Sequence, residues 1–511
     1  MLIFYHKIPY LSVSVFFETV PCRWRTIDAM GRLGDEPEIR FVVEVCSECL
    51  EFVGKMSTNG AFPYMPLVAA FEFGMTCFEL YLTYRQKVRF ESDKPAQILE
   101  TVVPADKFIK AQEYGLAKCK FSMISQIVSS SLSLVFQFTF MYPKLWQFSL
   151  SVMQYFKPTL SAENEIIRTI TFMILSSVLG SLTSLPFGLY QTFVLEQKFG
   201  FNRTTLTTYI KDSLMGSALS LVIGVPLITA LWYVIDKSGP HLWLYFWLFL
   251  SSFSLFMAVL YPSVIAPLFN KFTPLEEGEL KAGIDKLASS IGFPLKKLYV
   301  MDGSRRSTHS NAYFYGIFTK GIVLFDSLLD QCKGHDDRVL AVLCHELGHW
   351  KEGHTRKSLI IGLLHMLFMS GLYGMTASNK DLFVSFGYTS DTPHLIGLML
   401  FSEILGPLDS IVSFAMNWMS RKHEYEADRF AKTLGHSQAL GDALVSMHIE
   451  NLSNMNPDPW YSMYHNSHPT LVERLMALGI TPSQIDLKSE KEQDTNGTTA
   501  EQQDTESKKD Q

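Results

Sequence analysis

The sequence predicts a predominantly α-helical, polytopic membrane protein with about seven long transmembrane helices. Its 511 residues are 47% hydrophobic and 18% charged, with a mean hydropathy of +0.12. Long apolar runs alternate with polar segments, which is typical of a chain that crosses a bilayer several times. The longest polar segments lie in the second half of the chain, which predicts a soluble part attached to the membrane helices.

Each of the seven apolar runs has roughly the 20 residues that a membrane-spanning helix needs. The predicted spans lie near residues 63–84, 121–142, 169–194, 214–235, 241–265, 357–375 and 395–419. A buried core helix would explain any single run, but seven runs of this length favour membrane spans. Polar residues or a proline interrupt the first and last runs, at Glu72, Glu79, Glu403, Pro407 and Asp409. Charges at such depth usually face a bundle interior or a watery cavity.

Basic residues predict the orientation of these spans. The segment 85–120 carries eight of them, Arg85, Lys87, Arg89, Lys94, Lys107, Lys110, Lys118 and Lys120. The positive-inside rule places this segment in the cytosol. Counting spans from there adds three cytosolic segments, 195–213, 271–356 and the chain after residue 420. The loops near 143–166, 236–240 and 376–394 then fall on the opposite side.

An H-E-x-x-H motif occupies residues 345–349, before the sixth predicted span. Acidic residues followed by apolar residues three and four apart predict a helix there. On a helix, His345 and His349 face the same way and can bind one zinc ion, while Glu346 can take a proton from a zinc-bound water. The alternative is a surface helix with two unrelated histidines, since this motif also occurs by chance.

A second segment offers the third protein ligand that a catalytic zinc normally has. If residues 420–428 (SRKHEYEAD) are helical, Glu424 and Asp428 share one face, a turn apart. We predict Glu424 as the third ligand and Asp428 as the partner that holds a ligand imidazole. His423 is a competing donor, and the segment alone could be an ordinary charged helix face. Both halves of this site lie on the predicted cytosolic side.

The soluble segment between the fifth and sixth spans is predicted to contain a helix at 275–291 and a small β-sheet. Its strands are expected at 297–302, 311–318 and 322–326. A strand beside the zinc helix would hold an extended substrate by adding it to the sheet edge. The Asn311 amide could bond the substrate backbone, although a turn asparagine is an equally good interpretation.

His468 precedes Pro469, a residue well suited to the start of a helix. An imidazole at that position could stabilise the oxyanion of a tetrahedral intermediate beside the zinc. A lone His-Pro pair is more often a cap, and His465 could fill the same catalytic role.

The chain resembles the integral-membrane type I CAAX prenyl proteases over roughly residues 62–480. The matching stretches include 195–206, 261–280, 300–316, 340–355 (LAVLCHELGHWKEGHT), 420–432 (SRKHEYEADRFAK) and 464–478 (YHNSHPTLVERLMAL). The resemblance implies a large water-filled chamber within seven helices and one Zn²⁺ per chain. It assigns the metal to His345, His349 and Glu424 and general-base catalysis to Glu346. It also assigns contacts with the transition state and the substrate backbone to His468 and Asn311.

This resemblance also implies the reaction, which is removal of the C-terminal tripeptide from farnesylated or geranylgeranylated CAAX proteins. Some family members make a second, upstream cut in a precursor such as prelamin A. Because a prenyl chain partitions into lipid, the enzyme is expected in a membrane. The implied location is the endoplasmic reticulum membrane, and also the inner nuclear membrane, with the site facing cytosol or nucleoplasm. The alternatives are a quality-control zinc protease, usually shorter with fewer spans, and an inactive membrane scaffold or transporter.

Four regions are predicted along the chain: an N-terminal extension of unknown role (1–60), a membrane domain with spans 1–5 (61–270), a zinc metallopeptidase domain with spans 6–7 (271–482) and a disordered polar tail (483–511). The extension makes a poor signal peptide, and Met56 or Met65 would be more typical starts. The tail ends near Lys508 and Lys509, which either form a di-lysine retrieval signal or merely a basic end. A net charge of −6 gives no case for nucleic-acid binding. The oligomeric state is not predicted.

Overall fold

The computed structural model describes residues 62–92, 94–160, 164–316, 320–389 and 392–485. The predicted N-terminal extension and nearly all of the predicted tail, including Lys508 and Lys509, lie outside these residues. The first half of the described chain is helical: α1 (Tyr64–Phe90), α2 (Ala105–Phe138), α3 (Met141–Phe156), α4 (Glu165–Tyr190), α5 (Leu206–Lys237) and α6 (Leu242–Leu260). The second half adds α7 (Glu279–Ile291), α8 (Asp326–Gln331), α9 (Asp336–Lys351), α10 (His354–Thr376), α11 (Lys380–Ser385), α12 (His394–Thr433), α13 (Ser437–Glu450), α14 (Pro459–His465) and α15 (Leu471–Leu478).

Seven of these helices are long and apolar enough to cross a membrane, which confirms the predicted number of spans. They are α1, α2, α4, α5, α6, α10 and α12. Helices α4 and α6 continue through wider π-helical turns at Gln191–Glu196 and Tyr261–Ile265. Helix α2 begins well before residue 121 and α12 ends well past residue 419. The hydropathy pattern missed these ends because they carry polar side chains that pack on the soluble part.

A small sheet follows α6, as the sequence predicts, and it is a mixed sheet with four strands instead of the three that were expected. Its strands are β1 (Phe272–Pro274), β2 (Leu295–Met301), β3 (Ala312–Tyr315) and β4 (Lys320–Phe325). Their order is β1-β2-β4-β3; β2 and β4 are parallel, and the outer pairs are antiparallel. Strand β1 was not predicted, because three residues are too few to show an alternating pattern. The helix predicted at 275–291 begins only at Glu279, directly after Gly278.

The main hydrophobic core lies in the soluble part, where α9 packs against α7, α12, α13 and the sheet. Leu343 and Leu347 of α9 are fully buried there, as are Ile322 and Leu324 of β4. Helices α9 and α12 come very close at Gly348, where an added Cβ would lie 3.1 Å from the Ala427 Cα. The glycine within H-E-L-G-H therefore allows the two helices of the predicted metal site to approach each other.

Side-chain pairs join the soluble part to one end of the membrane bundle. They are Arg85–Asp458, Lys107–Glu450 and Arg306–Asp212, at 3.0, 2.8 and 2.8 Å. At the opposite end, the His394 backbone N–H donates to Glu165 at 2.8 Å. The segments that were predicted to lie on one side of the membrane therefore meet at one end of the bundle.

Polar side chains of the spans face one another, or face His465 of α14, inside the bundle. The pairs are Glu72–Gln137, Glu79–His465 and His365–Asp409, at 2.7, 3.2 and 3.8 Å. One oxygen of Glu403 is buried with no hydrogen-bond partner among the described residues. Such groups need water or polar neighbours, so the middle of the bundle is not a purely apolar core.

Candidate metal centre

Helices α9 and α12 bring His345, His349 and Glu424 together. The Nε2 atoms of His345 and His349 are 3.2 Å apart. Glu424 places one oxygen 3.4 Å from His345 Nε2 and the other 3.3 Å from His349 Nε2. Ligands about 2.0–2.1 Å from a tetrahedral zinc ion are separated by about 3.4 Å. The three side chains thus fit the spacing of a single metal site.

The charges of the site also fit a cation. Glu424 Oε2 is buried without a hydrogen-bond partner among the described residues. Burial and the nearby Arg474 charge lower the pKa of His345, but the carboxylates of Asp428 and Glu424 outweigh them and raise that pKa to about 9. The carboxylates of Glu424 and Asp428 therefore favour a positive charge at the point where the side chains of His345, His349 and Glu424 converge. Two imidazoles and a carboxylate are a donor set that zinc accepts.

Glu346 lies on α9 between the two histidines, as the sequence predicts. Burial raises the pKa of its carboxyl group, and the neighbouring Glu424 acts in the same direction. A carboxylate with a raised pKa is a stronger base than an ordinary surface glutamate. Glu346 is therefore suited to accept a proton beside the metal.

Asp428 lies one turn beyond Glu424, and its Oδ1 is 2.8 Å from His345 Nδ1. The residue that holds Asp428 is Arg474 of α15, which was not predicted from the sequence. Its guanidinium donates to both carboxylate oxygens, at 2.7 and 2.9 Å. A signal was available, since Arg474 occupies the apolar face defined by Leu471, Leu475 and Leu478. An arginine at such a position needs a buried anion.

The two histidines that were candidates for oxyanion binding have different surroundings. His468 Nε2 is 3.4 Å from Glu424 Oε1, and 62% of its side chain is exposed. The surrounding protein displaces part of the water around the ring, which lowers the pKa of His468, although the Glu424 carboxylate opposes this shift. His465 points instead into the bundle, where its Nε2 is 3.2 Å from Glu79 Oε2, and burial lowers its pKa to about 4. Of the two, only His468 lies beside His345, His349 and Glu424, which we call the metal-type group.

Asn311 lies immediately before β3, at the edge of the sheet. Its Oδ1 accepts the Ala312 N–H at 2.8 Å, and its backbone carbonyl accepts the Phe325 N–H at 3.1 Å. Strand β3 contacts α9 and, among the described residues, pairs only with β4. The edge strand next to the H-E-x-x-H helix therefore has a free side that an extended peptide could pair with.

His423, the competing donor, is not part of this group. It belongs to a second group with His354 and Glu426, and its ring stacks on that of His354 with centroids 4.0 Å apart. His354 was not predicted as a site residue. It lies five residues after His349, outside the helical spacing that links the ligands.

A membrane helix bundle that ends in an H-E-x-x-H helix and a converging glutamate defines an integral-membrane metallopeptidase. Residues 84–271 match the family described as CAAX prenyl protease N-terminal, five membrane helices, and residues 274–480 match peptidase family M48. A CAAX prenyl protease 1 homolog of Oryza sativa subsp. japonica is 44% identical over 419 residues, which cover 82% of this chain and 98% of the relative. The chain belongs to the CAAX prenyl protease 1 family.

Two yeast proteins extend this comparison. The CAAX prenyl protease 1 of Saccharomyces cerevisiae is 39% identical over 433 residues, which cover 81% of this chain and 95% of the relative. The crystal structure of S. mikatae Ste24p is 38% identical and superposes with a TM-score of 0.76. The match covers 82% of this chain and 100% of the chain in that crystal structure.

Proposed function

We propose that this protein is a zinc-dependent endopeptidase that removes the C-terminal tripeptide from S-prenylated CAAX proteins. The names of its relatives support the substrate class. The observation that carries the proposal is the triangle of 3.2–3.4 Å formed by His345, His349 and Glu424 at one end of a membrane bundle. These three residues would hold one Zn²⁺ per chain. When bound, the ion supplies Lewis-acid chemistry for the attack of water on a peptide carbonyl.

The surrounding residues supply the proton transfers and hydrogen bonds of this reaction. Glu346 takes a proton from the attacking water and delivers it to the departing amine nitrogen. His468 donates a hydrogen bond to the oxyanion that develops on the scissile carbonyl. Asp428 accepts from Nδ1–H of His345, which keeps Nε2 of that imidazole free to bind the metal.

The substrate would bind as an extended strand along β3. Its backbone would pair with the free edge of β3, and the Asn311 amide group would donate to a substrate carbonyl. The proposed partners are farnesylated or geranylgeranylated CAAX proteins and membrane lipid. A second cut in a precursor such as prelamin A belongs to the same proposal, because an edge strand binds backbone and tolerates different side chains.

We also propose the location and the domain division. The basic segment 85–120 favours a cytosolic or nucleoplasmic active site in the endoplasmic reticulum and inner nuclear membranes. The membrane domain would span residues 61–270 and the metallopeptidase domain residues 271–482.

The test measures tripeptide release from a farnesylated CAAX peptide by the purified, detergent-solubilised protein. Matched reactions contain a zinc chelator, an unprenylated peptide of the same sequence, or the Glu346→Gln variant. Prenyl-dependent cleavage that is lost with chelator and in Glu346→Gln, while this variant still binds zinc, supports the proposal. Equal cleavage of both peptides would instead indicate a general quality-control protease. Zinc binding without any cleavage would indicate an inactive scaffold.

A further inference from the structure

The second group of metal-type side chains lies directly behind the first. Its members, His354, His423 and Glu426, place three ligand atoms within 4.8 Å of one another. His354 is only 4% exposed. Its Nδ1 lies 3.0 Å from Nδ1 of His349, and its Nε2 lies 2.8 Å from Glu426 Oε2. The group could therefore be a second metal site or a support for His349.

The tautomers of His349 and His354 decide between a second metal site and a support for His349. His349 directs Nε2 toward the metal-type group, so Nε2 must lack a proton and Nδ1 must carry it. The Nδ1–H of His349 can bond to Nδ1 of His354 only if that atom lacks a proton. The proton of His354 then sits on Nε2, from which it is donated to Glu426. The same proton prevents Nε2 of His354 from binding a metal.

A second metal on His354 Nε2 would reverse this arrangement. It would force the His354 proton onto Nδ1, so two N–H groups would face each other at 3.0 Å. Neither could accept the other's proton, and both would be buried without a partner, which is costly. The hydrogen-bonding pattern thus favours a support for His349.

We propose that His354 and Glu426 are positioning residues that hold His349 in its metal-binding tautomer and orientation. The hydrogen-bonded chain runs from His349 Nδ1 to His354 Nδ1 and from His354 Nε2 to Glu426. Histidine ligands usually bond through their second nitrogen to a carboxylate or a carbonyl. Here a second imidazole is inserted between the ligand and its carboxylate. The inference rests on the zinc centre of the proposed function.

His345, the other imidazole of the proposed metal site, has a carboxylate support of its own. His345 Nδ1 meets the carboxylate of Asp428 directly, at 2.8 Å. His349 reaches Glu426 only through His354, because Glu426 projects from a different face of α12 than Glu424 and Asp428 do. Each imidazole of the H-E-x-x-H helix is thus tied to α12 by its own carboxylate.

The test measures zinc affinity of the purified full-length protein by competition with a chromophoric chelator, and zinc content by elemental mass spectrometry. His354→Phe keeps a ring of similar shape but has no nitrogen, whereas His354→Asn keeps an acceptor near the Nδ1 position. His423→Phe is the matched control, since it removes a member of the second group that takes no part in the hydrogen-bonded chain. Thermal unfolding of the metal-free proteins shows whether each variant is folded.

We expect wild-type protein to bind one zinc ion and His354→Phe to lose about 10–100-fold in zinc affinity. His354→Asn should retain most of the affinity, and His423→Phe should match wild type. If His354→Phe does not fold, Glu426→Ala provides the same test, because it removes the carboxylate end of the chain.

Unchanged zinc affinity in folded His354→Phe, or in Glu426→Ala, would overturn the inference. Two zinc ions in wild-type protein, one of them lost in His423→Phe, would overturn it in favour of a second metal site. Wild-type protein that binds no zinc would overturn the zinc centre of the proposed function, and the inference with it.

Discussion

The ion pair between Asp428 and Arg474 leads to a stability prediction whose size follows from its burial. The Asp428 side chain is 1% exposed and that of Arg474 is 10% exposed. Removing one partner of a buried pair costs up to about 3–5 kcal/mol, and Arg474 would keep only a longer contact with Glu424, at 3.7 Å. Because 1 kcal/mol shifts Tm by about 2–4 °C in a domain of 150–250 residues, Asp428→Asn should lower Tm by roughly 6–20 °C. Asparagine keeps an oxygen for His345, so the loss reports mainly on the ion pair.

A double variant separates the interaction energy of the two charges from the effect of removing each charge alone. Arg474→Met keeps most of the arginine length without its charge, and alone it should destabilise the protein about as much as Asp428→Asn. Together, the two substitutions leave neither member of the pair charged, so the double variant should recover at least half of the summed loss. The assay is thermal unfolding in detergent with a metal chelator present. Strictly additive losses, or a loss below about 1 kcal/mol in either single variant, would refute this reasoning.

Three further outcomes are expected. Gly348→Ala should weaken zinc binding in a chelator competition, since its Cβ would meet Ala427 at 3.1 Å, whereas Gly362→Ala meets nothing within 4 Å and should bind normally. Although burial raises the pKa of Asp458, hydrogen bonds from an α1 arginine and from the α14 backbone lower it overall. Asp458 thus adds stability above its unfolded pKa of about 3.9 that is lost as the pH falls through the lower folded value. Asp458→Ala should remove that contribution in acid-unfolding curves, and an unchanged curve would contradict this. Chelation of bound metal should lower Tm, because Glu424 Oε2 is then left buried without a hydrogen-bond partner among the described residues; an equal Tm with and without chelator would argue against a bound ion.

The metal-type group could be predicted because its geometry is local. Four-residue spacings place His345 with His349, and Glu424 with Asp428, on single helix faces. Their meeting required only that two spans lie between the two segments. The choice between His465 and His468 was not local, because α14 turns His465 into the bundle before the chain reaches His468.

Supporting residues were harder to predict, because they depend on which helices pack together. Arg474 was recognisable only as a charge on an apolar helix face, and its partner lies 46 residues earlier. His354 begins a membrane helix, where a histidine is an ordinary residue. Its importance follows from the packing of α10 beside α9 and α12, which no sequence spacing encodes.

Hydropathy predicted the number of membrane helices but not their ends. The start of α2 and the end of α12 are polar in composition, so a hydropathy window excludes them even though the helices continue without a break. The α2 extension buries Phe108, Ala111 and Tyr114 in the main core and the α12 extension buries Ala431 there, which stabilises both outside an apolar environment.

Helix α12 connects the interior of the helix bundle to the metal site proposed at Glu424. Its 40 residues, which include Pro407, run as one helix, about 60 Å long at a rise of 1.5 Å per residue. Glu403 inside the bundle and Glu424 at the metal-type group therefore lie at a fixed separation and angle. Inserting one residue between them would turn Glu424 by about 100°. In the proposed reaction, this one helix would therefore set the distance from the polar interior of the bundle to the bond that is cut.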